Sequence, residues 1–230
     1  MRLYTIDGKS HNFSFDSSTK EGTYGNINLT KNNKCLKLFK TEVSRKDKKD
    51  FDEEIYNEIR KLNLENYYVL YDLYYNQALT KILGYLSEYY QAEDIDILTM
   101  PIDYTLNNLC TLYKSLSILA ENYIRTDDLH KDNIITQKDK IIVIDTDLYY
   151  KDSKSAKEEI LKQNIYDLRD LFIEIYLTSL NNYQGKERFR MAEKVFRLFT
   201  INSTFGVDPV IKKLIKYKYP IDYLRKKWYT

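Results

Sequence analysis

Apolar and polar positions alternate in short runs over much of the first 86 residues and then take up a helical spacing over most of the remainder. Leu3–Ile6 and His11–Phe15 are short apolar or alternating runs split by Asp7-Gly8, a dipeptide suited to the tight turn of a hairpin. Asn26–Thr30 and Lys34–Lys40 form a second pair around Lys31-Asn32-Asn33, again turn chemistry. From Lys46 to Leu62 the pattern becomes helical, with Phe51, Ile55, Ile59 and Leu62 recurring between charges. Tyr67–Tyr75 and Leu79–Leu86 read as two more strands, the second with Gly84 inside it.

After Ser87 the character changes. Ile95–Met100 reads as a short helix before Pro101, and Leu106–Ile124 as a long amphipathic one, with Leu109, Leu112, Leu116, Leu119 and Ala120 on one stripe. Ile141–Ile144 is an apolar run of the kind that forms a buried strand after a short hairpin. Leu161–Leu180, Glu187–Phe199 and Val210–Tyr217 predict three further helices. A sheet with one inserted helix followed by helices predicts an α+β fold of two lobes, residues 1–86 and 87–230, sharing a cleft. No internal repeat or low-complexity linker interrupts it.

Composition narrows the function classes. The 230 residues carry 43% hydrophobic and 30% charged side chains, which excludes a disordered chain. A net charge of +2 gives the whole molecule no general attraction for nucleic acid. Cys35 and Cys110 have no metal-ligand spacing and form no disulfide framework, which points to a reducing compartment. No apolar run has the length of a membrane span, and Met1-Arg2-Leu3-Tyr4-Thr5 lacks a secretory core, so no membrane partner and a cytoplasmic location are expected. Lys212–Lys227 interleaves Lys and Arg with tyrosines, a pattern open to an acidic partner, though a solvated closing helix explains it more simply.

The most specific chemistry lies at Asp128-Leu129-His130-Lys131-Asp132-Asn133, followed by the strand Ile141–Ile144 and then Asp145. Phosphoryl transfer needs one carboxylate to orient or deprotonate the attacking hydroxyl, and an amide with a second carboxylate to hold magnesium on the phosphates. Asp128, Asn133 and Asp145 stand in the chain order for those roles. This order resembles the protein-kinase-like superfamily, which spans protein kinases and small-molecule kinases of the aminoglycoside-phosphotransferase type.

Other segments extend the resemblance across about Gly22 to Leu180. Lys20 to Ile27 is similar to a kinase glycine-rich loop in which Lys20 replaces the first glycine, Gly22 and Gly25 keep the other two, Tyr24 is the tip aromatic and Ile27 takes the valine position. Lys37, within Cys35-Leu36-Lys37-Leu38-Phe39, resembles the strand lysine that bridges nucleotide phosphates, its apolar neighbours facing the other side of the sheet. The resemblance implies a carboxylate partner on the following helix. Glu54 fits best by spacing, with Glu58 one turn later and Glu53 as the weaker option. Lys81–Leu86 resembles the last sheet strand and the hinge, which implies Leu83 at the depth of an adenine pocket and the backbones of Gly84 and Leu86 on the adenine edge.

Departures from the family divide the readings. Thr126-Asp127-Asp128 replaces His-Arg-Asp, His130 stands where protein kinases place a lysine, and Asp145-Thr146-Asp147 replaces Asp-Phe-Gly, with Asp147 read as a turn residue in preference to a second metal ligand. Fewer than twenty residues separate Asp145 from the helix at Asn164, with no Ala-Pro-Glu, which implies no switch by loop phosphorylation at Thr146, Ser153 or Ser155. Gln163–Tyr176 resembles the protein-kinase helix that begins Asp-Ile-Tyr, with Asn164 in place of Asp. The resemblance therefore implies an ATP- and magnesium-dependent phosphotransferase, first an atypical protein serine/threonine kinase with a shortened activation segment. A small-molecule kinase is the alternative that Asp-Leu-His favours, and a pseudokinase scaffold is the alternative that the altered loops favour.

Overall fold

The computed structural model describes residues 1–22, 24–45, 51–91, 102–137 and 140–178, and within these the side chains of all but 16–20, 102–106, 169 and 172–178. The expected helices at 95–100, 187–199 and 210–217 and the basic-aromatic stretch at 212–227 lie outside the described residues.

The first hairpin forms where Asp7-Gly8 places it. Gly8 takes φ 80°, and β1 (Arg2–Tyr4) pairs antiparallel with β2 (Ser10–Asn12). Next come β3 (Phe15–Glu21), β4 (Gly25–Thr30) and β5 (Lys34–Ser44), the last two joined through Asn33 at φ 55°. With β6 (Leu70–Tyr75) and β7 (Lys81–Glu88) they complete a seven-stranded antiparallel sheet in the order β2-β1-β6-β7-β5-β4-β3. The strand β3 is not evident in the sequence, because Ser17-Ser18-Thr19-Lys20 is polar throughout.

This order forces the sheet to curl. Laid flat, β2 and β3 would be about 29 Å apart, six strand spacings. Yet Phe13 is tied to β1 by its N–H on Met1 O at 2.9 Å, and Phe15 is paired with Thr30 of β4. One residue, Ser14, joins them, and two residue steps span at most about 7 Å. The two margins of the sheet are thus brought side by side. Register shifts between Phe15 and Thr19, Leu38 and Val43, and Leu70 and Leu73 supply the local bends. Inside the curl, Leu3, Leu36 and Tyr74 are buried, with Phe13, Phe15, Leu38, Leu83 and Leu86 packed against them.

The other face of the sheet carries α1 (Glu53–Leu62). Asp52 caps it by accepting the N–H of Glu54 at 2.9 Å, so α1 begins at Glu53, and the expected start at 46–50 lies outside the described residues. Acidic Glu53 and Glu54 in its first turn and basic Arg60 and Lys61 in its last suit the helix dipole, and Ile55, Tyr56 and Ile59 face inward. The remaining described chain runs α2 (Ile102–Glu121), β8 (Ile124–Arg125), a 3₁₀ turn (Lys131–Asn133), β9 (Ile134–Gln137), β10 (Lys140–Val143), β11 (Tyr150–Lys151) and α3 (Lys157–Thr178). Four short strands therefore accompany two helices in a region expected to be mostly helical. The architecture is mixed, a curled antiparallel sheet with three helices among the described residues. One hydrophobic cluster runs from Phe51, Ile55 and Tyr85 to Leu112, Leu116, Ile141, Val143 and Leu168. It joins α1 and the sheet to α2, β10 and α3, and each of its fully buried leucines contributes about 1.5–3 kcal/mol.

At Gly84, β7 crosses β5 too closely for a side chain: a Cβ there would lie 2.0 Å from the carbonyl oxygen of Lys37. Relief requires the backbone of β5 to move. Gly84→Ala is expected to destabilise the fold by about 3 kcal/mol. A urea unfolding curve with a lower midpoint and unchanged slope is the expected result.

Candidate functional site

Lys37 and its flanking residues divide between the two faces of β5. Leu36 and Leu38 point into the curl. Lys37 points to the opposite side, in a row with its registered neighbours Ile27 of β4 and Tyr85 of β7. It is a buried lysine, 6% exposed, with Nζ 5.8 Å above the Tyr85 ring. Its ammonium forms ion pairs with Asp145, 108 residues away, and with Asp147 Oδ2 at 2.8 Å. Burial works against the charge, but the carboxylates of Asp147 and Asp145 prevail and hold the ammonium above the ordinary lysine value.

This pairing replaces the expected one with Glu54. Because α1 starts at Glu53 and turns Ile55, Tyr56 and Ile59 inward, Glu54 is left exposed in the first turn. Glu58 is held by Lys151 at 2.8 Å. Glu53 pairs with Arg45 at 2.7 Å and accepts the Tyr75 hydroxyl at 2.9 Å. Asp147 lies in a turn as expected, closed by the Tyr149 N–H on Thr146 O at 3.1 Å, but its side chain turns inward. Its side chain is 6% exposed, with Oδ2 2.8 Å from Lys37 Nζ and the Tyr85 side chain also hydrogen-bonded to the carboxyl. Burial, followed by the charge of Asp145, pushes the Asp147 carboxyl up to about 7 against the pull of Lys37. The sequence signal was a second Asp two positions after the first, at the end of a buried strand.

Asp145 follows directly on β10 and Ile144 and adopts φ 65°, a left-handed conformation that raises the energy of a non-glycine residue by about 1–3 kcal/mol. Its surroundings impose that conformation. Ile144 N–H donates to Asn133 O at 2.8 Å, Asp147 N–H to Asp145 Oδ1 at 3.4 Å, and Thr146, 5% exposed, packs its hydroxyl 3.3 Å from that of Tyr68. Thr146 is therefore closed to a phosphorylating enzyme.

The bond from Ile144 to Asn133 also brings the Asp128 loop alongside. The Asn133 amide nitrogen donates to Asp128 Oδ2 at 2.7 Å and to Asp128 O at 2.9 Å. His130 Nε2 stands 3.0 Å from Asp128 Oδ1, and His130 Nδ1 accepts the Asp132 N–H at 3.3 Å, which caps the 3₁₀ turn. Both oxygens of Asp128 are thus held. The loop is anchored from below by Asn164 of α3, which is fully buried. Asn164 Oδ1 accepts the Thr126 N–H at 3.0 Å, and its amide nitrogen donates to Ile124 O at 3.2 Å. Asp167 accepts the Thr126 hydroxyl. Asn164→Asp keeps the shape but removes the donor and buries a charge, and is expected to lower stability by about 2–3 kcal/mol by thermal or urea unfolding.

The β3–β4 turn lies against β5 next to Lys37. Gly22 N–H donates to Gly25 O at 2.8 Å, Tyr24 is exposed at the tip, and Lys40 N–H returns to Tyr24 O at 3.1 Å. A Cβ on Gly25 would meet Leu38 O at 2.7 Å, so glycine there lets the turn lie close against β5. The expected adenine contacts require correction. Gly84 and Leu86 sit mid-strand between β5 and β6, in register with Leu38 and Leu36, and their backbone is part of the ladder. Leu83 and Leu86 pack into the curl, away from Lys37, whose own face carries Tyr85.

For a cation, the carboxylates that converge here are those of Asp145 and Asp147, and Asn133 is tied to the same segment through the Ile144 N–H on its backbone carbonyl. Among the described residues no three His, Cys, Asp or Glu side chains converge as a ready-made cage. Magnesium suits this arrangement, because it binds through one or two carboxylates together with phosphates and keeps several waters. No protein-family model and no curated protein matches the chain. Among the described residues no helix is long and apolar enough to cross a membrane.

Proposed function

We propose that the chain is an ATP- and magnesium-dependent phosphotransferase of the protein-kinase-like class, its two lobes meeting at the Lys37–Asp145 contact, and that it acts in the cytoplasm. The observation that carries this reading is the meeting of Lys37, Asp145 and Asp147 beside the Asp128–Asn133 pair. Asp128, with both oxygens positioned, orients the acceptor hydroxyl and takes its proton as the oxygen attacks the γ-phosphorus and the bond to the departing ADP breaks. Lys37 neutralises phosphate oxygens. The β3–β4 turn, through Gly22 and Gly25, lets backbone N–H groups approach the same phosphates. A magnesium ion held by Asn133 and Asp145 would supply charge stabilisation to the phosphates when bound.

A protein serine or threonine hydroxyl is the acceptor in the first reading. A small hydroxylated molecule is the second, and one feature favours it. The segment after Asp147 is short and fastened, with β11 paired to β8, Asp152 N–H on Tyr123 O at 2.8 Å and Lys151 on Glu58. That leaves little chain to build a peptide platform. Transfer of label from γ-labelled ATP to the protein itself, to generic proteins and to a panel of small hydroxylated or aminated compounds tests both. No transfer to any of them, together with no magnesium-dependent thermal shift on adding ATP, overturns the reading.

A further inference from the structure

We propose that a buried chain of hydroxyls, running from Thr146 through Tyr68 to Tyr85, ends on the Asp147 carboxylate and holds it in place, so that Tyr85 and Tyr68 are positioning residues for the Lys37 ammonium. The consequence for nucleotide engagement rests on the phosphotransferase reading, while the hold on Lys37 rests on geometry alone.

Three observations carry it. First, the hydroxyls meet in series. The Tyr68 oxygen lies 3.3 Å from that of Tyr85 and 3.3 Å from Thr146 Oγ1, and the Tyr85 side chain is hydrogen-bonded to the Asp147 carboxyl. Second, the chain has one direction. Each hydroxyl carries a single proton, and a carboxylate paired with an ammonium only accepts. Tyr85 therefore donates to Asp147, Tyr68 to Tyr85, and Thr146 to Tyr68, whose oxygen also accepts the Thr146 N–H at 3.4 Å. Bonds aligned in this way strengthen one another where water is excluded, and all three hydroxyl residues are buried. Third, the chain closes on itself. It leaves the Asp147 side chain and returns to Thr146, the residue before, so the turn is gripped on both sides. The grip is anchored, because Tyr68 N–H donates to Val143 O at 2.9 Å and Tyr85 is in register with Lys37 across β7 and β5.

The effect reaches Lys37 through Asp147, whose Oδ2 is 2.8 Å from the ammonium. A carboxylate fixed by Tyr85 fixes the ammonium that it shares with Asp145. A fixed ammonium meets incoming phosphates without the entropy cost of being ordered first. Phenylalanine at either tyrosine keeps the ring, including the Tyr85 face 5.8 Å from Lys37 Nζ, and removes only the hydroxyl.

The test is the rate at which an amine-acylating reagent labels Lys37 in the nucleotide-free protein, read by peptide mass spectrometry, with circular dichroism as a check on folding. Tyr85→Phe is expected to label about tenfold faster than wild type, the effect of losing one hydrogen bond to a charged group. Tyr68→Phe is expected to act in the same direction and less, and the double variant to match Tyr85→Phe, because the two hydroxyls work through one chain. Tyr67→Phe is the control. Its hydroxyl is as deeply buried but lies on Tyr149 at 3.3 Å, off the chain, so Lys37 should label at the wild-type rate. In the transfer assay Tyr85→Phe is expected to raise KM for ATP about tenfold with kcat within about threefold, a split that general loosening does not give. Lys37 labelling unchanged in Tyr85→Phe, equally faster in Tyr67→Phe, or multiplied in the double variant each overturns the proposal. So does an unchanged KM in a Tyr85→Phe protein whose Lys37 labels faster. If Tyr85→Phe does not fold, Tyr68→Phe against Tyr67→Phe decides. A wild-type protein that transfers to no acceptor overturns the enzymatic reading alone, and the labelling still decides the hold on Lys37.

Discussion

Lys37→Met is expected to lower the unfolding free energy by about 3–5 kcal/mol, a large share of the stability of an ordinary domain. The substitution keeps much of the stem's volume and removes only the ammonium. What remains is Asp147 at 6% side-chain exposure facing Asp145, with no cation between them. The loss is therefore the energy of an uncompensated buried charge, not of a lost contact. Two controls separate these. Asp147→Asn placed in the Lys37→Met background should recover most of the loss, because it removes one of the opposed charges. Lys34→Met, on the same strand but with the Lys34 side chain 30% exposed beside Glu88, should change stability by no more than about 1 kcal/mol.

The Lys37→Met loss should also depend on pH. In the native protein Lys37 pulls the Asp147 carboxyl down while burial and Asp145 push it up to about 7. Without the lysine the folded-state value rises further above the unfolded one. The folded variant then binds more protons than its unfolded chain between about pH 4 and that raised value, so its stability falls as pH rises across the window and recovers on acidification. Denaturation midpoints at pH 8 and pH 5.5 check the sign, and a difference between variant and wild type that does not shrink at the lower pH would remove the charge argument.

Asp128→Asn is expected to reduce phosphoryl transfer by about 10²–10⁴-fold while leaving the fold and ATP-dependent thermal stabilisation close to wild type. An asparagine there retains one oxygen for the Asn133 amide, whose bond to the Asp128 backbone carbonyl at 2.9 Å is untouched. It loses the basic oxygen that accepts the proton of the attacking hydroxyl. Turnover retained in a well-folded Asp128→Asn protein would remove the central assignment of the proposed function.

Legibility in the sequence followed locality. The Asp7-Gly8 hairpin, the turn at Asn33, the apolar stripe of α2 and the strand before Asp145 were readable because each is set by neighbours along the chain. The alternation Leu36-Lys37-Leu38 placed the lysine on its own face for the same reason. The Asp128–Asn133 contact is local as well, a five-residue loop closed on itself. What was not readable depends on distant chain. The partner of Lys37 was misassigned because α1 turns Ile55, Tyr56 and Ile59 inward and leaves Glu54 on its outer side, while the carboxylates that meet the lysine come from Asp145 and Asp147, far along the chain. Leu83 and Leu86 were misplaced because β7 becomes a central strand only through its pairing with β6 and β5. The polar run of β3 has no periodicity to reveal it, and its pairing with β4 holds it in the sheet.

The single-residue passage at Ser14 bears on how this chain behaves among copies of itself. A sheet normally offers two open rims onto which a neighbouring molecule can add a strand. Here Phe13 and Phe15, with ring centroids 6.5 Å apart and planes nearly parallel, pin one rim against the other. An incoming strand would have to enter a slot the chain keeps narrow, which guards a tyrosine-rich sheet against stacking into fibrils. Lengthening that passage by a few flexible residues would unlock the rims and open a path to strand-exchanged dimers without altering any residue of the Lys37 cluster.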